Sequence, residues 1–320
     1  MREIDLTKYK VRTDIVKDEL TKLNNKFKEQ IYNKDNIKVS RINLSKSLSK
    51  LINKKEGLYT TIFYDDITDN TNYINVKNIF IKELKYILRK DNLLNKENIL
   101  FIGLGNDKST PDSLGPKTID KIVITKHIYD LIGSLEKNYK ITSAITPGVM
   151  GTTGLETSDI LKAIINKVKP SYIIIIDALA SDSINRLGKT IQITNTGITP
   201  GSGIGNKRKE ISKKTLNIPV ISIGIPTVVD AVTIVSDTTN YIIKHFSKNI
   251  NKELTKQDKT YLLGTFGTLK DNDKKNLINE VLTPLGYNLI VTPKEIDYLI
   301  ENLSRLLGEG INKVIHNIDK

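Results

Sequence analysis

Two periods of apolar residues organise the chain. Ile99-Leu100-Phe101-Ile102 is a short continuous apolar run that breaks at Gly103, as a buried strand does. Tyr139 to Ile145 and Pro219 to Ile225 read as further strands. Tyr172 to Ile176 is an unbroken run of Tyr and four Ile, the signature of a strand covered on both faces. Between these runs the spacing changes to a helical one. Ile160, Leu161, Ile164, Ile165 and Val168 share one helix face, with Thr157 or Ser158 placed to cap its start and Pro170 to end it. Val228 to Phe246 predicts another helix. Thr292-Pro293-Lys294-Glu295 has the form of a helix start, followed by Ile296, Leu299, Ile300, Leu303, Leu306 and Leu307 on a core-facing stripe. Upstream, Leu58 to Phe63 (LYTTIF) predicts a strand and Ile79 to Leu88 a helix. Strand and helix in alternation predict an α/β fold, a mostly parallel sheet flanked by helices. Residues 1 to about 55 are Lys/Asn-rich and weakly periodic, and no element is assigned there.

Composition narrows the chemistry more than the fold. The 320 residues suit one large domain or two ordinary ones, and 38% hydrophobic residues suffice for a sizeable core. No apolar run reaches the roughly 18 residues of a membrane helix. The N-terminus, Met1-Arg2-Glu3-Ile4-Asp5, carries charge where a signal peptide needs its apolar stretch, so a cytoplasmic protein is expected. Cysteine is absent, which excludes disulfides, zinc–thiolate sites, iron–sulfur clusters and cysteine nucleophiles. Only His127, His245 and His316 are present. The net charge of +13 comes from scattered lysines without an RNP-type or helix-turn-helix signal, so acidic partners fit better than direct nucleic-acid recognition. Familiar motifs fail on spacing. Gly188-Lys189-Thr190 lacks the P-loop's first glycine, since position 183 is Ser183, and Gly103-Leu104-Gly105 meets Lys108 where G-x-G-x-x-G needs its third glycine. Neither H-E-x-x-H nor G-x-S-x-G occurs.

Four segments remain that resemble neither core nor surface. They are Gly103 to Asn106 continuing through Thr110-Pro111-Asp112-Ser113-Leu114-Gly115-Pro116; Thr146 to Gly154; Ile176 to Ala180; and Gly197 to Lys209. Each follows a predicted strand or leads into a helix, the place where loops of open α/β sheets line a ligand crevice. Two carboxylates stand out. Asp177 ends the isoleucine run, where a charge is costly unless paired, hydrogen-bonded or protonated. Asp112 is framed by Pro111 and Pro116. Two carboxylates sharing a site hold one proton between them, and the ionised member can act as general base on water, as in an aspartic hydrolase. The same residues also fit a helix-capping Asp177 and a turn-forming Asp112.

The stretches PGVMGTTGLETSDI, IIDALAS, QITNTGITPGSGIGNKRKEIS and IPVISIGIPTVVDAVTIVSDT, with TPDSLGP, EVLTPLGYNLIVTPKEID and the N-terminal DLTKYKVRTDI, closely resemble the germination protease family of spore-forming bacteria. The resemblance covers nearly the whole chain and is weakest over residues 16–95. It implies an endopeptidase that degrades small acid-soluble spore proteins when germination begins, working as a homotetramer in the spore core without a cofactor. The family is regarded as atypical aspartic-type, with an older classification among metallopeptidases. Its two proposed catalytic aspartates fall on Asp112 and Asp177. The implied fold resembles that of the hydrogenase-maturation proteases, which is phosphorylase/hydrolase-like. The family is made as a zymogen that cuts itself within the VRTD-[IL] segment, here between Asp14 and Ile15. That division leaves a propeptide, 1–14, and one α/β peptidase domain, 15–320. Val16 stands where the family's cleavage sites carry Ala. Independently of the resemblance, the free backbone N–H groups of Gly148, Gly151 and Thr152 are expected at the oxyanion, and the basic Lys207 and Arg208, with Lys209, at the acidic side chain before the cut bond.

Two readings of other classes compete. The first is a metal-dependent peptidase on the same fold, with His127 nearest Asp112 in sequence. The second is a non-enzymatic module whose Gly-rich loops bind a peptide or an anion. A glycosidase or phosphorylase with paired carboxylates is a further variant of an enzyme reading.

Overall fold

The structure, a computed structural model, describes residues 14–22, 27–201, 208–249, 255–282 and 289–318. Residues 1–13 of the expected propeptide, Lys207 and the whole TPLGYN stretch (283–288) lie outside the described residues. In chain order the first third contains α1 (Val16–Lys22), β1 (Glu29–Lys34), β2 (Ile37–Leu44), α2 (Lys46–Leu51), β3 (Gly57–Phe63), α3 (Asn70–Lys90) and β4 (Asn98–Gly103). A 3-10 turn at Thr110–Asp112 leads to α4 (Leu114–Ile119) and α5 (Lys126–Ile132). Next come β5 (Ile141–Ile145), α6 (Met150–Thr153), α7 (Thr157–Val168), β6 (Tyr172–Ser181) and β7 (Thr190–Thr194). The chain continues through α8 (Lys213–Leu216), β8 (Val220–Asp230), α9 (Ala231–Asn249), α10 (Lys256–Leu263), α11 (Asp271–Leu282), β9 (Ile290–Val291) and α12 (Ile296–Ile315).

The strands form one sheet in the order β1-β2-β3-β7-β8-β6-β4-β5, with β9 added to the end of β8. The parallel part expected from strand–helix alternation is β5-β4-β6-β8. An antiparallel half extends it through β7, β3, β2 and β1. Most of that half comes from residues 29–63, where the sequence offered only the β3 run.

Alternation along the central strands sends side chains to two cores. Tyr172, Ile174 and Ile176 of β6 join Ile191, Ile193, Ile221 and Ile223 against α3 and α12. Ile173 and Ile175 face the other way, with Leu100, Ile102 and Val220 against Leu161 and Ile165 of α7. On the antiparallel half, Val16 and Leu20 of α1 pack with Ile42, Leu44 and Tyr59. At about 25 cal/mol per Å² of apolar surface removed from water, these faces supply the main drive to fold.

Four boundaries differ from expectation, each for a local reason. β6 does not end at Asp177 but runs to Ser181, paired with β8 throughout and bulged between Leu179 and Ala180. Asp177 therefore stands inside a strand and caps no helix. Val228 to Asp230 belong to β8, so α9 starts at Ala231. The cap position of α7 is Glu156, one residue early, and Lys169 closes the helix in a left-handed conformation (φ 48°) before Pro170. At the last helix, the Thr292 hydroxyl donates to Thr227 O (2.9 Å) and ties the segment to β8, so the helix starts later, at Ile296.

One polar contact bridges the antiparallel half and α3. The fully buried Glu83 takes two hydrogen bonds from Arg41 (2.7 and 2.8 Å) and one from Tyr32 Oη (2.6 Å), while the Arg41 guanidinium lies 3.8 Å from the Tyr86 ring centroid. Removing one partner of a buried pair leaves an uncompensated charge, which costs about 3–5 kcal/mol. Arg41→Met is therefore expected to lower the urea midpoint strongly, and the double variant Arg41→Met/Glu83→Leu to recover much of the loss; equilibrium urea unfolding checks both.

Candidate active site

Close backbone packing brings the ends of β4 and β6 together with the turn that carries Asp112. Leu104 N–H donates to Ile176 O (2.8 Å), extending the β4–β6 ladder by one step toward Asp177. The chain then turns at Gly105, whose φ of +120° disfavours other residues; a Cβ there would stand 1.9 Å from Asp112 O. A Cβ on Gly115 would stand 2.2 Å from Leu104 O and 2.7 Å from Ile176 O. The two glycines thus let the 3-10 turn and the start of α4 lie directly on the strand ends. Asn106 N–H donates to Asp112 Oδ2 (2.8 Å) and fixes that carboxylate.

Asp177 is 7% exposed, and its carboxyl is held well above the usual range, first by burial and then by the neighbouring charges of Asp112 and Asp14. The Ala178 backbone hydrogen bond opposes this only in part. Burial also raises Asp112, against the pull of the Asn106 N–H. The pair is thus built so that Asp177 takes the proton first and Asp112 is the member left ionised.

The third charge belongs to the N-terminal segment. Asp14 N–H donates to Ala180 O (3.0 Å), and Ala180 N–H donates to Asp14 Oδ2 (3.1 Å). On the other side, Gln192 Nε2 donates to Asp14 O (3.0 Å), and Val16 N–H donates to Gln192 Oε1 (3.1 Å). Ile15, between them, has no exposed surface. Farther along, Arg186 pairs with Asp18 (2.9 Å) and anchors α1 to the segment after β6. Burial pushes the Asp18 carboxyl up to about 6, with Arg186 pulling it down and Asp182 adding to the rise.

Of the residues singled out from the sequence, Asp112, Asp177, Asp14 and Ile15 come together here. Gly148, Gly151 and Thr152 lie at α6, where Gly148 takes a positive φ (71°) and the Thr152 hydroxyl donates to Val149 O. No described hydrogen bond joins this loop to Asp112 or Asp177. Arg208 meets the same loop through Met150 Sδ, and Lys209 pairs with Asp159 (2.9 Å). His127 is exposed on α5, while His316 is buried between Val123 O and Lys140 N–H. Among the described residues no group of three or more His, Asp or Glu side chains is arranged to hold a metal ion. None of the described helices is long and apolar enough to cross a membrane. Gln192 is the residue that sequence reasoning passed over. Its signal was a lone amide in the β-branched run Thr190-Ile191-Gln192-Ile193-Thr194.

The sequence profile of the germination protease family matches residues 4–256 and 252–320. The chain belongs to the germination protease family. It is 43% identical to the germination protease of Geobacillus sp. (strain WCH70), over an alignment spanning 98% of this chain and 96% of that protein. It is 47% identical to the one from Oceanobacillus iheyensis, over 88% and 84% of the two chains. A third, from Bacillus cereus (strain AH187), is 41% identical over 98% and 96%. Among solved structures, a [NiFe] hydrogenase maturation protease, HycI from Thermococcus kodakarensis, aligns with 45% of this chain and 80% of its own, at 16% identity and a TM-score of 0.30. Family membership makes the chain a peptidase of spore germination.

Burial of Asp177 has a thermodynamic consequence. Its raised folded-state pKa means that the stability this group contributes is fully present at low pH and is lost as pH rises through that pKa. Asp177→Asn abolishes the loss. The variant is expected to melt above the wild type at pH 8, by the roughly 2–4 °C that ~1 kcal/mol gives in a chain this large, with the gap closing toward pH 4. Thermal melts followed by circular dichroism across that pH range check it.

Proposed function

We propose that this chain is an endopeptidase made as a zymogen, that its first substrate is its own Asp14–Ile15 bond, and that it then opens small acid-soluble spore proteins at similar acidic–apolar bonds. One observation carries this reading: Asp14 is held by backbone and side-chain hydrogen bonds beside Asp177, close enough for its charge to act on that carboxyl. A peptide seated by its main chain next to two carboxylates that share a proton is a substrate in position.

Asp112, the ionised member, takes a proton from a water that attacks the Asp14 carbonyl carbon. Asp177 gives its proton to the carbonyl oxygen. The tetrahedral adduct collapses with rupture of the C–N bond, the proton held by Asp112 passes to the Ile15 nitrogen, and Asp177 recovers its own from the adduct's hydroxyl. The products are the Asp14 carboxyl group and the Ile15 amine. An atypical aspartic-type mechanism follows, and it needs no cofactor.

Acidic residues before the cut fit because Ala180 N–H meets the Asp14 carboxylate. The Gly148, Gly151 and Thr152 loop and Arg208, which have no described hydrogen bond to the aspartates, are assigned to other contacts with substrate, and Lys207 lies outside the described residues. Homotetramer formation and a site of action in the spore core are proposed from family membership alone.

Intact mass of the full chain at mildly acidic pH, followed over time, tests the reading. Wild type should lose the mass of residues 1–14, while Asp177→Asn and Asp112→Asn should keep it for at least a hundred times longer, the order of effect of losing an acid–base group. Processing of Asp177→Asn at the wild-type rate would sink the dyad.

A further inference from the structure

Asp177 of β6, Gly224 of β8 and Gln192 of β7 are register partners in one row across the sheet. The row continues to Thr61 of β3. Register partners point to the same face, so Asp177 and Gln192 flank a position with no side chain, at Cα atoms about 10 Å apart by two strand spacings. A Cβ on Gly224 would strike Leu179, 2.6 Å away. The absence of a side chain at Gly224 lets Leu179 pack over that position, between Asp177 and Gln192. The segment Asp14-Ile15-Val16 spans this gap, hydrogen-bonded to Ala180 on the β6 side and to Gln192 on the β7 side.

Gln192 is 6% exposed, and both polar atoms of its amide go to this one segment. The orientation of the amide is fixed by chemistry. The Asp14 carbonyl can only accept, so the NH₂ faces it; the Val16 N–H can only donate, so the oxygen faces that. The side chain therefore reads two main-chain groups, one on each side of the Asp14–Ile15 bond, without regard to sequence.

We infer that Gln192 is a catalytic residue that binds the carbonyl oxygen of the bond to be cut and holds the main chain two residues beyond it. The inference rests on the reading of Asp14–Ile15 as a cleaved bond. A donor aimed at a carbonyl oxygen strengthens as that oxygen gains negative charge in the transition state. Gln192 supplies such a donor from the β7 side while Asp177 approaches from β6. The acceptor half of the amide fixes the peptide plane, so water attacks a carbonyl of set orientation. Its action on the main chain alone means that the same clamp serves spore-protein substrates, whatever side chains follow the cut.

Self-cleavage of the full chain, read by intact mass as a first-order rate, tests the inference with Gln192→Ala and Gln192→Glu. Gln192→Ala should slow cleavage by about 10²–10³-fold, the usual effect of losing one oxyanion donor. Gln192→Glu keeps an acceptor for the Val16 N–H and loses the donor, so near pH 7 it should be equally slow. Protonation restores an O–H donor, and its rate relative to wild type should rise as pH falls toward the carboxylic range near 4.3. Taking the ratio to wild type divides out the dependence on Asp112 and Asp177 that is common to both chains. A merely structural role predicts slow cleavage with a ratio that does not move with pH, and that result overturns the inference. So does a wild-type rate in Gln192→Ala. If instead the wild type itself cuts elsewhere or not at all, the reading of the Asp14–Ile15 bond falls, and the role of Gln192 with it.

Discussion

An ionisable side chain set in the middle of a central strand must be reconciled with its surroundings, and Asp177 imposes that constraint on this fold. Its neighbours along β6 are isoleucines sealed on both faces of the sheet. Water cannot solvate the carboxylate there, so the group keeps a proton or finds partners. The fold supplies a second carboxylate, Asp112, by stacking a turn directly on the strand ends through Gly105 and Gly115. The charge of Asp112 then adds to burial in holding a proton on Asp177. Packing that is unfavourable for a charge thus sets apart a protonated and an ionised carboxyl, the pair on which the proposed reaction draws.

The parts of the fold legible from sequence were those whose pattern is local. β3, β4, β5, β6 and β8 announce themselves as apolar runs, and α7 and α12 as stripes of one face. Both aspartates were visible because a carboxylate at the end of four isoleucines, or between two prolines, needs a reason. What stayed hidden was set by pairing between distant segments. β1 is polar and largely exposed, and β2, which pairs with it, is joined to the rest of the sheet through β3. The continuation of β6 past Asp177 depends on β8 running alongside it, which the run of isoleucines could not foretell. The start of α12 was misjudged because Thr292, free to cap a helix by local rules, is used by a carbonyl of β8 instead. Gln192 looked like a polar interruption in a strand, and its meaning emerged only when β7, β8 and β6 were set in register.

The N-terminal segment has two halves with different attachments. Asp14 is held by hydrogen bonds of its main chain and its carboxylate, which another acidic residue could replace. From Ile15 onward the attachment is hydrophobic, with Val16 and Leu20 part of a core that includes β2 and β3. The boundary between the replaceable and the permanent attachment falls at the bond proposed to be cut. Blocking the groove and presenting a substrate are then the same contact, and no separate inhibitory element is needed.

Burial of α1 against the sheet reaches beyond the moment of cleavage. An amine released at Ile15 would stay tethered by Val16 and Leu20 at the very place where it formed, at an effective concentration far above any free peptide. Resynthesis of the bond would compete with each cut for as long as the severed piece lingered. On the proposed cut, what would commit the molecule is the escape of residues 1–14: departure of the fragment would act as a ratchet, and the chemistry itself would stay reversible until that pawl drops.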